Sequence, residues 1–324
     1  MTDLSRAEVE DKSDPRVTSP TLDFSIVVPT RNRPVQLAAC LSALAKQDYP
    51  RDRYEVVIVD DGSTPPAASA AAVASSFQDR IALTLLYQQN AGPAAARNRG
   101  AAHARGTWLA FTDDDCLPDS TWLRSLATTL ADAEDCVVGG HTVNGLPENL
   151  CSAVSQLIID AAYRRYNAQS ENARFFTTNN LALGRALYAR LGGLDEAFTT
   201  SEDRDLCDRC VAAGIRLRYA PGATVQHRHA LSLPAFCRQH FAYGRGAFRF
   251  HQAQRARGSR QTDDQVPFLL DIRNWLLCSL AQVAPQRWPG LAALLVCWQL
   301  TNLAGFVAEG LACNGGDVHR SARR

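Results

Sequence analysis

Trp108-Leu109-Ala110-Phe111-Thr112-Asp113-Asp114-Asp115-Cys116-Leu117-Pro118 sets an apolar run of strand length against three adjacent carboxylates and a Leu-Pro break. Adjacent like charges repel and favour neither strand nor helix, so the strand ends where the acidic run begins. Something has to compensate that charge. A hard divalent cation such as Mg2+ or Mn2+, shared with a substrate phosphate, does so through oxygen ligands. A solvated acidic turn is the competing reading, and the flanking chain decides between the two.

Upstream, Phe24–Pro29, Tyr54–Asp60 and Ile81–Tyr87 are short runs rich in Val, Ile, Leu or aromatics, and Thr107–Thr112 and Cys136–Gly139 continue the series. Between them Leu37, Ala38, Leu41, Leu44 and Ala45 repeat at helical spacing, and Pro65 and Pro93 stand where helices would begin. Alternating strands and helices predict a parallel sheet covered by helices on both faces, with ligands beyond the carboxyl ends of its strands. Three of these strands end in polar residues: Thr30-Arg31-Asn32, Asp60-Asp61-Gly62-Ser63 and Asp113-Asp114-Asp115. The expectation is one polar edge built from three separate segments.

The chain has 324 residues, with 34 basic and 33 acidic side chains and a net charge of +1. That balance gives no footing for a nucleic-acid binder. The ten cysteines are scattered, mostly in apolar runs, as suits reduced thiols in the cytoplasm. Only Cys207 and Cys210 have CxxC spacing, with no second pair to complete a zinc site. Residues 1–22 are polar and read as a disordered lead-in without an export signal.

No GxGxxG follows the first or second strand and no GxxxxGK[ST] occurs, which argues against dinucleotide oxidoreductases and P-loop enzymes. What does occur is an ordered set. Ile26-Val27-Val28-Pro29-Thr30-Arg31-Asn32-Arg33 precedes Val56-Val57-Ile58-Val59-Asp60-Asp61-Gly62-Ser63, then Asn90-Ala91-Gly92-Pro93 through Arg97-Asn98-Arg99-Gly100, then the acidic run. Asn179-Asn180-Leu181-Ala182-Leu183, Leu191-Gly192-Gly193-Leu194-Asp195 and Ser201-Glu202-Asp203-Arg204-Asp205 follow. In this order the motifs resemble a family-2 glycosyltransferase with the GT-A fold, over roughly residues 24 to 230.

The resemblance implies an inverting transfer of a sugar from a nucleoside-diphosphate sugar, a UDP-sugar, to an acceptor hydroxyl on a glycan or lipid-linked cell-envelope acceptor, with Mn2+ or Mg2+. It implies a nucleotide site of Pro29, Thr30, Arg31, Asp60, Asp61 and Arg97, with Asp61 receiving the base N–H. Asp60-Asp61-Gly62-Ser63 as a mere turn and cap is the bland alternative. The family's D-x-D falls on Asp113 and Asp115, with Asp114 also available to the nucleotide, so which pair binds stays open. His227 would complete the metal site, with His229 toward phosphate; two surface histidines are the alternative. Asp203 would be the base and Glu202 an orienting residue, with a helix N-terminus keeping the base ionised. Arg209 would pair with Asp205 or with phosphate.

Gln239-His240-Phe241-Ala242-Tyr243-Gly244-Arg245-Gly246 stands where processive synthases carry Q-x-x-R-W, but the tryptophan is missing and the arginine displaced. That departure favours single additions, with Arg245 clamping a diphosphate from a glycine-flanked mobile segment. Rival readings are a sugar-1-phosphate nucleotidyltransferase, which would need a glycine-rich loop after the first strand, and a non-catalytic nucleotide-sugar binder. The expected organisation is a lead-in over 1–22 and a GT-A domain over 23–250, with nucleotide half 23–140 and acceptor half 141–250. A linker over 251–265 and an apolar helical region over 266–315 follow. Trp288 to Cys313 has the length of a membrane span but carries polar residues, so a span, an interfacial hairpin and a packing helix are all open. Trp275, Trp288 and Trp298 favour an interface, giving peripheral attachment at the cytoplasmic face.

Overall fold

The computed structural model describes residues 22–64, 68–131, 135–259 and 284–321. Pro65, Trp275, the proposed lead-in up to residue 21 and residues 266–283 lie outside them. The first half of the chain alternates strands and helices as expected: β1 (Phe24–Thr30), α1 (Pro34–Leu44), β2 (Tyr54–Asp61), α2 (Ala68–Ser75), β3 (Ala82–Gln88), α3 (Pro93–His103) and β4 (Trp108–Phe111). Next come β5 (Cys116–Pro118), α4 (Trp122–Ala131), β6 (Cys136–Asn144), α5 (Leu150–Tyr166), β7 (Leu181–Gly184) and α6 (Arg185–Arg190). The chain continues through α7 (Glu202–Ala212), β8 (Arg216–His227) and α8 (Leu233–Arg257), and its last described helix is α9 (Trp288–Ser321).

The strands form one sheet of order β3-β2-β1-β4-β7-β6-β8-β5. β1 pairs in parallel with β2 and β4, and β2 with β3, so these four form the parallel half. β7 runs antiparallel between β4 and β6, which makes the second half mixed. Period-two burial explains why helices cover both faces. Phe24, Ile26 and Val28 of β1 pack with Leu37 and Leu41 of α1 and Trp122 of α4. Val27 points the other way, to Ala94 and Ala101 of α3 in the layer that also holds Leu206 and Cys207 of α7. The CxxC cysteines are core thiols.

The second half holds more strand than its sequence suggests. β8 runs for 12 residues, although Arg216, Arg218, Pro221 and Gly222 hide it. Its pairing with β6 jumps from Gly140↔Ala220 to His141↔Thr224, a bulge that takes Pro221 out of the ladder. Buried Asn180 fastens the bulge: its amide donates to Ala223 O (2.9 Å) and His141 O (3.2 Å), and its carbonyl accepts from Trp122 Nε1 (2.9 Å).

α8 corrects two expectations. It extends through 252–257, so the linker is not one there: Arg257 bonds Asp205 (2.7 Å) and Asp208 (2.8 Å), and Gln254 bonds Asp208 (2.8 Å). These contacts tie the end of α8 to α7. Gly244 and Gly246 sit inside α8 and serve close packing, where a mobile segment was expected. A Cβ at Gly244 would collide with Asn302 O, and one at Gly305 with Phe241 O, so the two backbones approach through missing side chains. Leu291, Leu294, Leu295 and Trp298 of α9 bury against Val154 and Leu157 of α5 and Phe236 of α8. Arg245 and Arg249 reach across to Glu309, which is 3% exposed, each at 2.5 Å. Gly305→Val should therefore force α9 off α8 and lower Tm by about 5 °C or more in a thermal melt, since overpacking costs about 1–3 kcal/mol.

Candidate functional site

The carboxyl ends of β1, β2 and β4 and the N-termini of α3 and α7 open onto one cleft of about 1190 Å3. Pro29, Thr30, Arg31, Asp61, Arg97 and all three aspartates of the acidic run line it, and so do Glu202, Asp203, His227 and His229. Each aspartate of the run has a different partner. Asp113 takes a 2.6 Å bond from Arg97 Nη2. Asp114, buried, accepts from Thr30 Oγ1 (2.8 Å) and Arg33 Nη1 (3.2 Å). Asp115 accepts from Arg33 Nη1 at 3.0 Å and faces His227 Nε2 at 3.3 Å.

These partners set the charge states. Burial, with Arg33 opposing and Asp115 adding to it, pushes the Asp114 carboxyl up to about 6. Burial pushes Asp115 the same way, but the hydrogen bond and charge of His227, with Arg33, hold it well below the usual carboxylate range. His227 is raised in return against its own burial. The sheet delivers this histidine: β5 pairs antiparallel with β8, setting Cys116 opposite His227 and leaving Asp115 beside it. Asp115, Cys116 and His227 offer ligand atoms within 4.8 Å of one another. The Cys116 thiol is fully buried, and burial raises its pKa well above the ordinary thiol value, so it stays protonated. His229 stacks on His227 with ring centroids 5.0 Å apart, and burial and His227 bring it down to about 4.

Arg97 joins the two chemical ends of the cleft. Buried at 4% exposure, it bonds Asp113 with one terminal nitrogen and Glu202 Oε1 (3.0 Å) with the other. It stands one turn into α3, whose N-terminus is set by Pro93. α7 begins after Ser201, a non-glycine residue held at φ 74°, the kind of backbone strain that clusters at functional sites. Beside it Asp203 is half-buried and accepts from the Arg204 N–H (2.8 Å). Burial and neighbouring Glu202 push its carboxyl up to about 7, so desolvation outweighs the helix N-terminus expected to keep it ionised.

The loop after β2 is built by the other acidic pair. Asp61 accepts from Gln88 Nε2 (2.8 Å), Ala91 N (2.8 Å) and Gly92 N (2.9 Å), so it holds the 90–92 loop at the cleft. Asp60 turns inward and caps Ser63 N (2.9 Å); it does not line the cleft, which favours the turn reading for that residue. Gly62, at φ 77°, lies so close to Asn90 N that a Cβ would stand 2.7 Å from it.

Arg245 meets a different geometry from the one expected, while Arg209 takes Asp205, the first of its two expected partners. Arg245 lies outside the cleft, because its guanidinium is drawn to Glu309. Arg209 bonds Asp205 (2.8 Å), Leu191 O (2.6 Å) and Gly193 O (2.7 Å), which makes it a staple for the Gly192-Gly193 turn. Sequence reading missed Arg33, whose place two residues after Arg31 in the same exit loop was the available signal. It also missed His240, although the Gln239–Gly246 stretch contains it, and the share of α9 in the cleft wall, which no local motif announces.

A parallel half-sheet whose edge carries an acidic run, joined to a mixed half that brings an acidic helix start to the same cleft, is the GT-A glycosyltransferase architecture. The signature of Glycosyl transferase family 2 matches residues 25–192, and the chain belongs to that family. It is 29% identical over 265 residues to a pre-mycofactocin glycosyltransferase of Mycobacterium tuberculosis, covering 80% of this chain and 53% of that one. It is 32% identical over 232 residues to a validoxylamine A glucosyltransferase of Streptomyces hygroscopicus, covering 62% and 54%. The chain thus spans about half the length of these curated relatives. Among solved structures, a Pyrobaculum calidifontis mannosyltransferase in complex with GDP-Man and Mn2+ superposes with a TM-score of 0.63 at 21% identity, over 88% of this chain and 86% of that one.

The Arg97 bridge has a measurable consequence. Arg97→Ala leaves Glu202 buried without its cation, and losing one partner of a buried pair costs about 3–5 kcal/mol. Chemical denaturation should show that loss, and Glu202→Gln in the same chain should recover part of it.

Proposed function

We propose that this chain transfers a sugar from a nucleoside-diphosphate sugar, a UDP-sugar, to an acceptor hydroxyl with inversion at the anomeric carbon. The observation that carries the reading is the shared cleft: the acidic run and Asp203, with its carboxyl at about 7, line it together, with Arg97 bonded to both Asp113 and Glu202. A base poised near working pH combines a useful ionised fraction with proton affinity. In this reading Asp203 takes the acceptor hydroxyl's proton as that oxygen forms its bond to the anomeric carbon. The bond to the nucleoside diphosphate breaks on the opposite face, and its electron pair leaves with the diphosphate. Glu202, neutralised by Arg97, orients the acceptor.

Asp61 has about four lone-pair sites and uses three, which leaves one for the N–H of a uracil-type base. Thr30 and Arg31 would flank the nucleoside. Asp115 and His227, with Asp113 or Asp114 near, form a carboxylate–imidazole donor set that fits Mn2+ and, less well, Mg2+. Bound there, the ion would supply neutralisation of the charge gathering on the leaving diphosphate.

Transfer or slow donor hydrolysis, measured over a nucleotide-sugar panel with Mn2+, tests the reading; absence of both would sink it. Asp203→Asn should keep donor affinity and lower the transfer rate by about 10²–10⁴. Because the ionised carboxylate is the active form, kcat/KM should fall tenfold per pH unit below about 7 and level off above it. Asp115→Ala should abolish turnover and weaken donor binding while the protein stays folded.

We also propose peripheral attachment at the cytoplasmic face of a membrane. Pro285–Cys313 is long and apolar enough to cross a bilayer. Its packed face and the Glu309 ion pairs support an interfacial placement instead, with Val296, Leu300, Val307 and Leu311 turned outward. Leu300→Asp with Val307→Asp should lower co-sedimentation with anionic phospholipid vesicles at least tenfold. Unchanged sedimentation, or none by the wild type, would remove this placement.

A further inference from the structure

The cleft continues well past Asp203, and its volume of about 1190 Å3 exceeds the roughly 300–1,000 Å3 of ordinary ligand pockets. Beyond the polar end it runs between α5, α8 and α9, where Ile158 and Ile159 face Trp298, Leu303 and Phe306. Helical spacing shows how α9 is shared. Trp298, Asn302 and Phe306 repeat at i, i+4 and i+8 along the cleft, while Val296, Leu300, Leu303, Val307 and Leu311 form the exposed apolar stripe beside it. Leu303 belongs to both: it lines the cleft and is 60% exposed. The apolar end of the cavity therefore opens sideways onto the apolar surface of α9.

Between that opening and Asp203 lies a group of polar atoms with no partner among the described residues. His240 is 2% exposed, lines the cleft, and has neither ring nitrogen hydrogen-bonded. It is held by Phe236 (4.3 Å between ring centroids) and Tyr243 (5.5 Å), so it cannot swing out to water. Gln239 Oε1 and Ser155 Oγ, from the facing helices α8 and α5, are buried and unpartnered in the same way. Unmet donors and acceptors in a cavity wall are a cost that a bound ligand can offset. Imidazole, amide carbonyl and hydroxyl together suit a polyhydroxylated head group.

We infer that this half of the cleft seats an acceptor with an aliphatic chain, the chain entering past Leu303 and the hydroxyl-bearing head held by His240, Gln239 and Ser155. The inference rests on the sugar-transfer reading above and selects, between a glycan and a lipid-linked acceptor, the one whose aliphatic chain fills the apolar end of the cleft. An alkyl- or polyprenyl-type glycolipid has this form, whereas a free sugar would leave the apolar end empty.

The test uses methyl and octyl β-glucoside as acceptors, below micelle-forming concentration, with whichever nucleotide sugar is hydrolysed. Octyl glucoside should show kcat/KM at least tenfold higher, since each buried methylene is worth about fourfold (~0.8 kcal/mol). Leu303→Asp and Phe306→Ser should bring the octyl-to-methyl ratio close to one. His240→Phe should lower both values tenfold or more and keep the ratio. Equal kcat/KM for the two glucosides in the wild type would overturn the proposal. Where neither glucoside is glycosylated, an octyl glucoside with a terminal diazirine decides: labels on Ile159, Trp298 or Phe306 support the seat. Labels confined to Leu300 and Leu311 mean surface adsorption and sink it. If no nucleotide sugar is hydrolysed, the transfer reading itself falls, while the label still reports on the alkyl seat.

Discussion

Crowded negative charge is the constraint on which this structure turns. Asp113, Asp114, Asp115, Glu202 and Asp203 all reach one cleft, several of them buried, and carboxylates do not stay there without cations. Arg97 compensates Asp113 and Glu202 together, and Arg33 compensates Asp114 and Asp115. Both arginines stand on segments leaving the sheet edge, and of the two Arg97 is the one that reaches across to α7. Among the described residues Asp203 makes no such ion pair, and burial beside Glu202 drives its carboxyl toward neutral pH.

Much of this was legible beforehand. The alternating apolar runs place β1 to β4 and α3 within a residue or two, because buried parallel strands leave an unmistakable Val/Ile/Leu signature. Asp113, Asp115, Arg97, Glu202, Asp203 and His227 do share a cleft, since residues at strand ends and helix starts are placed by the topology itself. What escaped was long-range. The length of β8 is masked by its arginines and its bulge, and pairing with β6 overrides that local signal. Arg245 looked like a diphosphate clamp in a glycine-rich setting, yet its partner is a glutamate 64 residues away in a helix with no motif to announce it. Asp60 and Asp61 look alike in sequence, but adjacent strand positions face opposite ways, so only one reaches the cleft.

α9 joins stability to the cleft. One face packs on α5 and α8, a second walls the cavity, and a third carries bare apolar side chains. A helix that serves three surroundings has few substitutable positions, and the glycines against α8 remove still more.

The bulge in β8 governs which imidazole meets Asp115. His227 ends β8, and His229, two residues on, stacks its ring on the same side. Asn180, by bonding Ala223 O and His141 O, fixes how much chain is taken up before Thr224 resumes its pairing. A one-residue deletion in the bulge would present Arg228 to the acidic run and turn the site cationic, whereas a two-residue deletion would present His229 and restore an imidazole. The chain thus carries a second imidazole just past the end of the strand.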